Sequence, residues 1–131
     1  MSVNLTTRET DGVVIVETSG RVTLGEGSSA LRRGIRELVD GGSRKIVLDM
    51  AEVDYMDSSG LGELFASHTT VRSVGGQLKL LNVSPRVREL LAMMRIDSLF
   101  EIFDDEALAV ESFSSGIVDE ESKSFWDRFR L

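Results

Sequence analysis

The chain has no cysteine, one proline and one histidine in 131 residues. Without cysteine there is no disulfide framework, no thiolate nucleophile and no Cys-ligated zinc. With His68 alone, a metal site would have to be built almost wholly from carboxylates, and no metal or cofactor is expected. Basic residues are in deficit: 15 Lys and Arg face 22 Asp and Glu, a net charge of −7. Nucleic-acid binding draws on clustered Lys and Arg, so no nucleic-acid partner is expected. No 18-residue apolar run is present, and Met1-Ser2-Val3-Asn4 does not begin a basic-then-apolar leader. The expectation is therefore a cytoplasmic chain with no direct membrane insertion.

What is present is the balance of a globular domain, 41% hydrophobic and 28% charged, in a length that buries one core without staples. Val13-Val14-Ile15-Val16, Ile46-Val47-Leu48 and Leu78-Lys79-Leu80-Leu81 are short apolar runs, as strands covered on both faces would be. Between them, apolar residues recur at helical spacing: Leu31, Ile35, Leu38, Val39, then Leu61, Leu64, Phe65, His68, Val71, then Val87, Leu90, Leu91, Met94. Ser28 or Ser29 is an N-cap candidate for the first helix, and Gly41-Gly42 and Gly75-Gly76 are stops. Ser84-Pro85 opens the third helix, with proline where no N–H is wasted. Asn4 to Thr7 is a candidate extra strand, turned through Asp11-Gly12. Ile102-Phe103 is a candidate last strand, and Asp104 or Asp105 caps a final helix. The alternation predicts an α/β domain, a mostly parallel mixed sheet of four to five strands with alternating helices. Arg32-Arg33-Arg36 and Arg86-Arg88 fall on polar helix faces and read as solvated surface.

The chemistry-bearing segment is Val53-Asp54-Tyr55-Met56-Asp57-Ser58-Ser59-Gly60-Leu61-Gly62, at the end of a strand and the start of a helix. Several N–H groups there lack intrahelical partners, and the helix dipole adds about half a positive charge. Asp57 or Ser58 caps the helix. Gly60 and Gly62 leave part of the first turn bare, where a partner backbone approaches closely or the helix packs tightly on the sheet. The order is not Gly-x-Ser-x-Gly and no histidine stands beside it, so serine nucleophilic catalysis is not expected.

Asp57-Ser58-Ser59-Gly60-Leu61-Gly62, preceded by Ile46-Val47-Leu48-Asp49 and Val53-Asp54-Tyr55-Met56, resembles the signature of STAS domains (sulfate transporter and anti-sigma factor antagonist). Gly20, Gly75-Gly76, the strand from Leu78 and Ser84-Pro85 continue the resemblance, which covers roughly residues 3 to 113. It implies a STAS domain over 1–113 and an acidic, aromatic extension over 114–131. Among such proteins the free-standing anti-sigma factor antagonists look closest. The resemblance implies a non-enzymatic partner switch: the chain binds an anti-sigma factor that is also a serine kinase, phosphorylation of Ser58 weakens binding, and a serine phosphatase restores it. Asp57, Ser58, Ser59, Gly60 and Leu61 would form the contact loop, with Gly20 and Thr23 beside it. The pattern departs at Thr23, where family members often carry aspartate. Two alternatives stay open: an unphosphorylated scaffold subunit of a signalling assembly, and a STAS subunit of a membrane lipid-transport complex.

Other signals carry less. Gly25-Glu26-Gly27-Ser28-Ser29-Ala30 spells G-x-G-x-x-A with Asp49 downstream, but it does not directly follow the Val13 to Val16 run. His68, on an apolar stripe with no second His or Cys, reads as structural. The acidic runs Asp104-Asp105-Glu106 and Asp119-Glu120-Glu121 read as helix-terminal or solvated charge. In the extension, Phe125 and Phe129 stand at i, i+4 with Trp126 between. They suit an amphipathic helix docked on its own domain, or a partner or homodimer contact.

Overall fold

The computed structural model describes residues 3–114. Residues 115–131, with Phe125, Trp126 and Phe129, lie outside that range, so the expectations for the extension do too. β1 (Asn4–Thr10) and β2 (Val13–Val22) form an antiparallel hairpin with Thr10 opposite Val13. Asp11 and Gly12 turn it with φ of 51° and 78°, the left-handed pair that an Asp-Gly turn supplies. β3 (Lys45–Met56), β4 (Gln77–Leu81) and β5 (Ile102–Phe103) follow in sequence order, each parallel to its neighbour. The sheet order is β1-β2-β3-β4-β5. Parallel neighbours need crossovers, and α1 (Glu26–Asp40), α2 (Ser58–Ser73) and α3 (Pro85–Met93) supply them. A turn of 3₁₀ helix (Asp97–Leu99) leads into β5, and α4 (Glu106–Ser112) ends the described chain.

The core has two layers. Val16, Ile46, Leu48, Leu78 and Leu80 pack with Leu31 and Ile35 of α1, Leu61, Leu64 and Val71 of α2, and Val87 and Leu91 of α3. The alternate residues Val13, Ile15, Val47 and Leu81 pack with Ala109 of α4, flanked by Phe103, Val110 and Phe113. Helices on both faces explain why these strands are continuous apolar runs and do not alternate. Lys79 interrupts the third run yet is buried. Its ammonium lies 2.7 Å from Glu101 Oε2, donates to Ser112 Oγ at 2.7 Å and sits 4.3 Å from the Phe113 ring centre.

Four sequence expectations need correction. Neither Ser28 nor Ser29 caps α1; Gly25 does, at φ 96°, with no side-chain bond. The helix starts earlier because Gly27 lies against β2, where a Cβ would stand 2.5 Å from the Arg21 carbonyl oxygen. Ser28 is consequently buried inside the helix, its N–H donating to the Thr23 carbonyl at 3.0 Å. Met94 is not on a buried face: α3 ends at Met93, and Met94 is its half-exposed C-cap. Arg32 is not simply solvated, since its guanidinium donates to both carboxylate oxygens of Glu63, which is buried on α2. Gly60 is closed rather than bare, as the site geometry makes plain.

Candidate functional site

At the carboxyl end of β3 the chain turns at Asp57 into α2. Asp57 is extended (φ −100°, ψ −174°), and its Oδ1 accepts from the Gly60 N–H at 3.0 Å, so Asp57 and not Ser58 is the cap. Its other oxygen accepts from the Leu24 N–H at 3.1 Å, in the loop between β2 and α1. A single carboxylate thus fastens the start of α2 to the neighbouring loop. The Gly60 N–H above all, with those of Leu24 and Ser59, holds the Asp57 carboxyl below its ordinary value, against a smaller opposing effect of desolvation.

Because Asp57 makes the cap, the fold does not need the Ser58 hydroxyl. Ser58 is exposed at the first position of α2, and Ser59 is half-buried. The next two residues face inward. At Gly60 a Cβ would lie 2.2 Å from the Val22 carbonyl oxygen and 2.7 Å from Met56 Cγ, so the close approach expected of a partner is made by the chain's own β2. Leu61 is core, 2% exposed. Gly62, with nothing within 4 Å of its Cβ position, is the open glycine. Gly20, at φ 96°, sits where the β2–β3 pairing slips, with Gly20 opposite Val53 and Arg21 opposite Tyr55. The slip carries the end of β2 to the site: the Asp57 N–H donates to the Val22 carbonyl at 3.4 Å, and half-buried Thr23 precedes Leu24. The structure therefore gathers Thr23, Asp57, Ser58 and Ser59 at one surface, and turns Gly60 and Leu61 into its support.

Several apolar residues stand exposed around Ser58; Tyr55 belongs to the chemistry-bearing segment read from the sequence, whereas Met93 was not picked out there. Leu24 is 78% exposed. Tyr55 is half-exposed, with the Arg21 guanidinium 4.7 Å from its ring centre. Met93 and Met94, also exposed, close a groove of about 350 Å³ between the end of β3 and α3, and Asp57 and Ser58 stand at its edge. A tyrosine in the polar half of β3 was the available signal; the α3 contribution is a tertiary effect.

The competing motifs resolve structurally. His68 lies ten residues along α2 from Ser58, about 15 Å at the helical rise. It is buried edge-on to Phe100, with ring centres 5.1 Å apart, and is a core residue. Among the described residues no cluster of His, Cys, Asp and Glu is arranged to hold a metal. The G-x-G-x-x-A loop does follow a strand closely, since β2 runs to Val22. Even so, the space over Gly27 is filled by the Arg21 carbonyl, and Asp49 accepts from the Asn82 side chain and the Ala51 N–H. No described helix is long and apolar enough to cross a membrane.

Comparison with known proteins gives a consistent result. The STAS domain family profile matches residues 4–109. The anti-sigma F factor antagonist of Paenibacillus polymyxa is 31% identical over 100 residues, 76% of this chain and 85% of that protein. In fold, the chain is similar to an anti-sigma factor antagonist from Mycobacterium paratuberculosis, with TM-score 0.75 and 22% identity over 85% of this chain and 93% of that one. It is also similar to the Bacillus cell fate determinant SpoIIAA in its phosphorylated form, with TM-score 0.66 and 20% identity over 84% of this chain and 99% of that one.

Proposed function

This chain belongs to the STAS domain family, and on that premise we propose that it is an anti-sigma factor antagonist switched by phosphorylation of Ser58. The observation that carries the reading is the exposed Ser58 hydroxyl, left over after Asp57 has capped the helix and held the adjacent loop. In this reading the partner is an anti-sigma factor with serine kinase activity, and it covers Thr23, Leu24, Asp57, Ser58 and Ser59. A serine phosphatase resets the switch, and the chain itself performs no catalysis. The name of the Paenibacillus relative supports the role, and the phosphorylated form of SpoIIAA supports the modification.

The physical logic is a change of surface without a change of fold. A phosphate brings about −1.5 to −2 charges and three acceptor oxygens. At the start of α2 it is favourable to its own helix, by about 0.3–1 kcal/mol. Against a docked partner the same group is bulky, repelled by acidic neighbours and costly to desolvate. Loss of about 4 kcal/mol there is roughly a thousandfold in affinity. Phosphosite mapping by mass spectrometry, across growth and stress conditions, tests the switch. Condition-dependent phosphate on Ser58 supports it; its absence throughout moves the reading to the scaffold role.

A further inference from the structure

We propose that β1 pairs with the β1 of a second copy of this chain, antiparallel about a two-fold axis, so that two sheets become one. β1 is the long open edge of the sheet; the opposite edge, β5, has only Ile102 and Phe103. The Asp11-Gly12 turn closes on Thr10 opposite Val13, so Thr10 is a hydrogen-bonded position and the positions alternate back along the strand. Leu5, Thr7 and Glu9 therefore point their N–H and C=O groups away from β2, and no described strand lies there to receive them. The devices that guard such edges are missing. Asn4–Thr10 contains no proline, and its ladder with β2 runs without a bulge. Its one basic side chain, Arg8, is turned to the α4 face and held by Glu17 and Glu106.

The occupant is a second copy because the edge is complementary to itself. With Thr7 on the axis, every outward-pointing position meets one of the other copy: Thr7 faces its own counterpart, and Leu5 faces Glu9. Arg8 then faces Thr6, so no like charges are opposed. α1 repeats the complementarity. It lies over β1 and β2, with Leu5 Cδ1 2.7 Å from where a Gly34 Cβ would stand and Gly27 against β2. Strands lie about 4.8 Å apart, which puts the α1 helices of the two copies about 10 Å apart across the seam, at packing distance. The α1 residues on that side, Ala30, Arg33, Gly34 and Glu37, border a cavity of about 460 Å³ beside β1. Ala30 and Gly34 are small enough for a close approach. Arg33 and Glu37 are exposed, and neither has an ion pair among the described residues. The axis reverses one helix against the other, so Arg33 of each copy meets Glu37 of the other. Ser58, at the end of the third strand from the seam, stays open in both copies.

Sedimentation velocity of the full chain, from micromolar to millimolar concentration, reads the oligomeric state, and amide exchange by NMR reads the edge. The expected result is a dimer whose formation protects the Leu5, Thr7 and Glu9 N–H groups as concentration rises. Thr7→Pro removes one outward N–H and none that β2 uses, so it should leave a folded monomer. Arg33→Glu and Glu37→Arg should each weaken the dimer by about tenfold or more, and Arg33→Glu/Glu37→Arg together should restore it. Circular dichroism checks each fold; if Thr7→Pro does not fold, the charge variants, at exposed helical positions, decide alone. A monomer at every concentration overturns the proposal. So does a dimer indifferent to the charge changes, which places the interface elsewhere, or edge protection independent of concentration, which makes the cover a segment of the same chain.

Discussion

Replacing Gly60 and Gly62 by alanine, one at a time, should move stability in opposite directions. Both lie in the first turns of α2, where alanine is favoured over glycine by about 1 kcal/mol. At Gly62 nothing stands within 4 Å of the new methyl, so Gly62→Ala should gain about 0.4–1 kcal/mol. At Gly60 the methyl would sit 2.2 Å from the Val22 carbonyl oxygen, a backbone atom that cannot swing aside. Relieving that contact takes a shift of roughly 1 Å, lifting α2 from β2 and loosening Leu61 and Leu64 in the core. Overpacking of this kind costs about 3 kcal/mol at the upper end of its usual range, leaving about 2 kcal/mol net after the propensity gain. For a domain of this size that is a fall of about 8 °C in Tm, against a rise of a few degrees for Gly62→Ala. Thermal and urea melts followed by circular dichroism measure both. If Gly60→Ala is as stable as the wild type, the α2–β2 contact is not the constraint described, and the reasoning fails.

Ser58→Asp should melt within about 1 kcal/mol of the wild type, since charge at this helix start is tolerated, yet bind the anti-sigma partner about a thousandfold more weakly; titration calorimetry and a thermal melt on the same preparation check both halves. The Asp57 and Glu106 carboxyls are held below their ordinary values, Asp57 mainly by the Gly60 N–H and Glu106 mainly by the Arg8 guanidinium. The folded chain thus binds fewer protons than the unfolded one: their stabilisation is fully present above the unfolded values of 3.8 and 4.5 and is lost as pH falls through the folded ones. Urea titrations from pH 6 down to 3 should show this decline, and Asp57→Asn should flatten part of it; an unchanged slope counts against the clasp. At the Lys79–Glu101 pair, Glu101→Leu should cost more than Lys79→Met, because it leaves the buried ammonium to Ser112 Oγ and the Phe113 ring, whereas Glu101, 31% exposed, is solvated once its partner is gone. Equal losses in denaturant melts would mean that the pair contributes more than the shape of its site.

The order of elements was legible because both sheet faces are covered, so each strand core is an apolar run and each crossover an amphipathic stripe. Strand length was not legible from the apolar runs, although the Val53–Gly62 segment, read as a strand end and helix start, does meet the end of β3. β2 and β3 continue through Glu17 to Val22 and Asp49 to Met56, past the apolar runs, where the ladder shifts register and side chains meet solvent. Local pattern cannot show such an extension, because its stabilisation comes from the neighbouring strand. The caps at Ser84 and Asp105 were legible for the opposite reason: each bonds an N–H three residues on, to Val87 and Leu108. The Arg32–Glu63 pair joins helices 31 residues apart, and Met93 and Met94 reach the site through α3. Neither leaves a local trace.

The serine was legible, but its freedom was not, since Asp57 and Ser58 were equal candidates for the cap. The deciding contact is the Leu24 N–H: an aspartate offers two oxygens, one for Gly60 and one for Leu24, where a serine has a single hydroxyl oxygen to set between them. Once Asp57 carries both bonds, a modification at Ser58 breaks none of the hydrogen bonds that define the turn. The site then separates two tasks often in conflict. Position is fixed by a carboxylate, by Gly60 closed against β2 and by Leu61 in the core; the signal of the proposed switch would be borne by a hydroxyl that none of them requires. A chain whose partner reads one surface needs that separation, because a phosphate that also unfolded α2 would destroy the surface it is meant to mark.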